Sequence, residues 1–211
     1  MDTSKLILLA IGGLVSGILA GFLGIGGGTV LVPLQVALGY TPLQAVATSS
    51  FSIVITAISG SIQNWRMGYL SFKRVIYLGL PAVITAQLGA ELATRVPSYV
   101  LLVAFALLLL LNIYLVQLRK QLTNSEAEKS NNFNPVLARL FTGGAAGVLA
   151  GLFGVGGGVI MVPLQILLLS ETIKVAIQTS LGVIMITAVS ATIGHAAKGN
   201  ISWTVGLILG I

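Results

Sequence analysis

Cysteine is missing from the 211 residues altogether, which excludes disulfides, thiolate metal sites and thiol redox chemistry together. Acidic side chains are almost missing too: Asp2, Glu91, Glu126, Glu128 and Glu171 are all there are. None of them falls in the middle of a long apolar run. Cation carriers and carboxylate proton relays generally need an intramembrane Asp or Glu, so their chemistry is excluded with it. The chain holds one histidine, His195. With no paired aspartates and no nucleophile placed beside a base, no catalytic residue is assigned. No metal site and no cofactor are expected either.

What is present is apolar surface. Hydrophobic residues make up 56% of the chain and charged ones 8%, a composition that excludes an ordinary soluble domain and points to a polytopic membrane protein. Runs of about 20 residues can cross a bilayer as helices. They occur at Leu43–Ile62, Val75–Thr94, Ser98–Leu118 and Thr172–Ala197. Short alternating segments of the β-barrel kind are not seen. The expected fold class is therefore all-α, with the lipid bilayer as the main partner. Two runs differ from the rest: Leu6–Leu38 and Val136–Leu169 are too long for one untilted span, and each is interrupted by glycines. The first is not a signal peptide, because it continues through its glycines and has a second copy in mid-chain.

That second copy defines the organisation. "GFLGIGGGTVLVPLQ" from Gly21 returns as "GLFGVGGGVIMVPLQ" from Gly151, and "ATSSFSIVITAISGSIQNWRMGYLSF" from Ala47 faces "IQTSLGVIMITAVSATIGHAAKGNISW" from Ile177. Residues 1–118 read as a first multi-helix repeat, 119–135 as a polar linker and 136–211 as a second, incomplete repeat, with the sequence expected to be a fragment. Gly13, Gly17 and Gly21 recur as Gly143, Gly147 and Gly151. Glycines at this spacing let membrane helices approach closely, and packing is their expected role.

The glycine clusters have another use. No lysine follows them as a P-loop requires, and no strand precedes them as a dinucleotide fold requires. Neither a nucleotide nor nucleic acid is expected as a partner. Unwound backbone in a membrane must be buried in protein or line a wet cavity. Helices that start there offer free amides and partial positive charge, which attract anions. The candidate substrate-binding residues are therefore Gly24, Gly26, Gly27 and Gly28 with Gln35, Thr48 and Ser49, and in the second copy Gly154, Gly156, Gly157 and Gly158 with Gln165, Thr179 and Ser180. The polar side chains among them are neutral donors, which suit an anion. The alternative for each Ser and Thr is a bond to its own or a neighbouring backbone. His195, at the end of its helix, is expected as a polar tip at the interface. Glu91 and Arg95, four apart, are expected to pair.

Arg66, Lys73 and Arg74 make one loop basic, whereas its counterpart in the second copy keeps only Lys198. Positive loops mark the cytoplasmic side, so the asymmetry favours repeats of opposite orientation. That orientation follows if each glycine break is a hairpin. A kink at the break would make the repeats parallel.

The two motif pairs together resemble those of the TauE/SafE sulfite-exporter family, and the resemblance covers both halves apart from the linker. It implies a bacterial cytoplasmic-membrane transporter of small anions such as sulfite, sulfoacetate or related organosulfonates and carboxylates, acting alone or as a homo-oligomer. The alternatives are a structural subunit of a membrane complex, which leaves the recurrent threonines and serines unexplained, and an intramembrane enzyme, for which the residues are lacking.

Overall fold

The structure, a computed structural model, describes residues 3–124 and 134–210. These residues form the helices α1 (Thr3–Leu23), α2 (Gly28–Ala37), α3 (Pro42–Arg66), α4 (Phe72–Arg95), α5 (Ser98–Asn124), α6 (Pro135–Phe153), α7 (Gly158–Leu169), α8 (Ile173–Ala196) and α9 (Trp203–Gly210). No strand occurs among the described residues. The protein is an all-helical, multi-pass membrane protein: α1, α3, α4, α5, α6 and α8 are each long and apolar enough to cross a bilayer. Their outward faces carry the lipid-compatible side chains, for example Leu80, Ile84 and Leu88 on α4.

Local chemistry sets the helix ends. Thr41 and Gln44 close a capping box before Pro42, with Gln44 N–H donating to Thr41 Oγ1 at 3.3 Å. Thr172 caps α8 through Val175 N–H at 3.4 Å. At the other extreme, α5 runs on to Asn124, six residues into the stretch read from sequence as linker. Arg119, Lys120, Gln121 and Leu122 are all good helix formers, so polarity alone does not end the helix. The rest of that stretch, residues 125–133, lies outside the described residues.

At both glycine clusters the chain reverses. Leu34 of α2 lies where a Cβ on Gly12 of α1 would stand, and Leu9 and Leu31 share one core cluster. In the second copy Met161 of α7 packs with Ala146 of α6. The short helices α2 and α7, of 10 and 12 residues, therefore return beside the helices that precede them. At 1.5 Å per residue they reach only about 15–18 Å, half a bilayer.

Small residues set the register of the long helices. Gly143, Gly147 and Gly151 of α6 lie against the Leu78, Ala82 and Ala86 backbone of α4, so the two run parallel. Gly79 meets Ile186, and Ser190 Oγ donates to Val83 O at 2.8 Å, so α8 runs parallel to α4 as well. Since α3 and α4 are joined by a short turn, α8 is antiparallel to α3. Ser61, near the end of α3, accordingly donates to Leu181 O, near the start of α8, at 3.1 Å.

Candidate functional site

The two reversals meet in the middle of the protein. A Cβ on Gly28 would strike the Gly154 carbonyl oxygen, and one on Gly158 would strike the Gly24 carbonyl oxygen. Gly26 lies against Gly156, a Cβ on the former falling 3.5 Å from Cα of the latter. The contacts are reciprocal: each break touches the other copy at equivalent positions. α3 and α8 flank the pair, with Ile53 and Ile184 against Gly156. From α5, Phe105 stacks edge-on against Phe153 at 5.8 Å between ring centroids.

Glycine is required at the helix starts. Gly27 and Gly157, the N-caps of α2 and α7, have φ of 78° and 80°, in the left-handed region that a β-carbon disfavours. The turn carbonyls are satisfied from neighbouring helices. Ser16 Oγ donates to Gly27 O at 2.8 Å, and Thr187 Oγ1 donates to Gly156 O at 3.1 Å. The amides are not: among the described residues, those of Gly26, Gly27, Gly28, Gly156, Gly157 and Gly158 have no recorded acceptor. The two helix starts, each with unsatisfied N–H groups, lie against each other with no carboxylate near among the described residues. Glu91 and Glu171 both sit at the ends of the molecule, in ion pairs with Arg95 at 2.9 Å and Arg74 at 3.2 Å. A focus of partial positive charge inside an apolar protein can hold an anion.

Beside this centre, beyond Gly210 at the end of α9, an open cavity of about 850 Å³ lies between α1 and α3. Gly26 stands on its wall, and Thr56, Ser59, Gln63 and Arg66 follow one another along α3, from the break to the end of the helix. The corresponding groove of α6 and α8 is filled by α4. There Gln87 Nε2 donates to Ser190 O at 2.6 Å and to Ser190 Oγ at 3.0 Å.

Of the fourteen residues singled out from sequence, Gly26 alone lines this cavity. The glycines come together in the central contact. Gln35 and Gln165 do not face it; both are fully buried and tie each half-helix to the next long helix. Gln35 Nε2 donates to Ser49 Oγ at 2.7 Å and Ala45 O at 3.3 Å, and Gln165 Nε2 to Ser180 Oγ at 2.9 Å. Thr48 Oγ1 accepts from Ser202 N–H at 3.1 Å, and Thr179 is buried on α8. His195 corrects the expectation of an interfacial tip. It is completely buried, its Nε2 2.9 Å from Gly151 O, because α8 ends against α6 rather than in water. Sequence reading missed Ser16 and Gln63. The spacing of three, four and three from Thr56 through Ser59 and Gln63 to Arg66 was the available signal for the stripe.

Relatives are similar to this chain along almost its whole length. A probable membrane transporter protein of Bacillus subtilis, YunE, is 27% identical over 96% of this chain and 82% of its own length. A second from the same organism, YdhB, is 28% identical over 89% and 77%. A probable membrane transporter protein of Methanocaldococcus jannaschii is 26% identical over 97% and 80%. No solved structure matches the chain. The family described as sulfite exporter TauE/SafE matches residues 9–211. With its model matching that much of the sequence, the chain belongs to the sulfite exporter TauE/SafE family.

Proposed function

We propose that this membrane transporter carries small anions, with sulfite, sulfoacetate and related organosulfonates or carboxylates as its cargo, and that the anion sits between the two glycine reversals. The observation that carries this reading is the close approach of the two glycine reversals, whose six amides have no acceptor among the described residues. Peptide N–H groups at helix starts bind oxyanions without a counter-cation. The Gln35–Ser49 and Gln165–Ser180 pairs act as positioning residues that hold the half-helices in place.

The antiparallel course of α3 and α8, which are equivalent helices, supports inverted repeats. Their two-fold axis would then lie in the plane of a bacterial cytoplasmic membrane. Such repeats place the cargo at the axis and let one half rock against the other. The test is flux of labelled sulfite and of a sulfonate in proteoliposomes, comparing the native chain with a Gly27→Val, Gly157→Val double variant. Flux should vanish in the variant while membrane insertion and helix content persist. Undiminished flux would refute the site.

A further inference from the structure

Where α4 and α6 begin side by side, Lys73, Arg74 and Arg139 line a second cavity of about 360 Å³, together with Ser71 and Tyr77. Glu171, from the turn between α7 and α8, holds Arg74 and offsets one of the three charges. Lys73 and Arg139 have no carboxylate partner among the described residues. Like charges gathered in one cavity repel unless an anion joins them. Ser71, the residue before α4, makes no capping bond of its own, which leaves the first amides of that helix open to the same ligand.

The surroundings select the kind of anion. Lys73, Tyr77, Leu80 and Ile84 follow at helical spacing along one face of α4, and Tyr77, Leu80 and Ile84 are all strongly exposed. Leu140 and Phe141 of α6 are exposed beside them. An apolar flank therefore leads from the basic cavity into the depth of the bilayer. A soluble anion would use the cavity alone; a phospholipid would use both. We propose that this cavity binds the phosphate of an anionic phospholipid headgroup, with Arg139 and Lys73 as its principal cations and the acyl chains laid along Leu80 and Ile84. Arginine grips phosphate oxygens in pairs, and basic pockets between membrane helices take such headgroups. The site is separate from the glycine reversals and does not depend on what they transport.

Native mass spectrometry of the detergent-purified protein, titrated with phosphatidylglycerol and with phosphatidylcholine, tests this. The anionic lipid should bind at about tenfold lower concentration than the zwitterionic one. Lys73→Gln and Arg139→Gln should each shrink that preference severalfold, whereas Lys198→Gln at the opposite end should leave it intact. Lys73 is exposed, so the single variant keeps the result interpretable if Arg139→Gln folds poorly. Equal binding of both lipids, or an unchanged preference in Lys73→Gln, would overturn the proposal. Displacement of bound lipid by a large excess of inorganic phosphate would overturn it as well, assigning the cavity to a soluble anion.

Discussion

Gln35 shows how a polar side chain is kept inside a membrane protein. Its amide nitrogen has Leu31 O at 3.1 Å, Ala45 O at 3.3 Å and Ser49 Oγ at 2.7 Å within reach. Truncating it would take the amide donor from Ser49 Oγ, while its own Oε1 is buried without a partner among the described residues. Because Gln165 and Ser180 repeat the arrangement in the second copy, both pairs should behave alike. A double-mutant cycle of Gln35→Ala and Ser49→Ala, followed by thermal unfolding in detergent, should give a coupling of about 1 kcal/mol, within the range known for membrane hydrogen bonds. The cycle of Gln165 with Ser180 should match it. A coupling near zero in both would mean that the serines belong to another partner. Residues also mark the limit of what could be read in advance. The glycines of the reversals were legible because no other residue tolerates their backbone. The burial of His195 was not, because it depends on which helix happens to end beside it.

Among the elements, the glycine stripes invite direct comparison. Gly151 of α6 is pressed against Ala86 and Ala90 of α4, and Gly13 of α1 against the Leu209 backbone of α9. Gly151→Ala should therefore lower the unfolding temperature by several degrees, in keeping with overpacking of about 1–3 kcal/mol. Gly13→Ala should lower it likewise, since the added Cβ would meet the Leu209 carbonyl oxygen. Unchanged stability at either position would contradict the packing described for these helices. The long helices themselves were legible from hydropathy, and their caps from Thr41–Pro42 and Thr172. The direction taken after each glycine cluster was not fixed by pattern: hairpin and kink share one sequence, and the choice rests on contacts such as Leu34 with Gly12. The continuation of α5 through Asn124 likewise escaped a reading based on polarity.

For the whole molecule the charges separate by end. Arg66, Lys73, Arg74, Arg139 and Lys174 gather at one end, where Lys174 also lies over the Tyr69 ring at 4.3 Å. At the other, Glu91 joins Arg95 and Lys198. We propose that the first end, with its excess of positive side chains, is the cytoplasmic one. The natural lack of cysteine makes this simple to check. A cysteine introduced at Ser98 should react with an impermeant thiol reagent applied to intact cells, and one at Ser71 should react only after lysis. The opposite pattern would invert the topology, and labelling of both from outside would refute the separation of the two ends.

Building the central contact from both copies also constrains how the protein is made. Gly24–Gly28 is synthesised first, and its neighbour Gly154–Gly158 follows 130 residues later. At ribosomal speeds that interval is on the order of ten seconds. Throughout it, the first reversal has unpaired amides and no second copy to cover them, and lipid cannot take that place. During that interval the amides of the first reversal should therefore face water or protein rather than lipid.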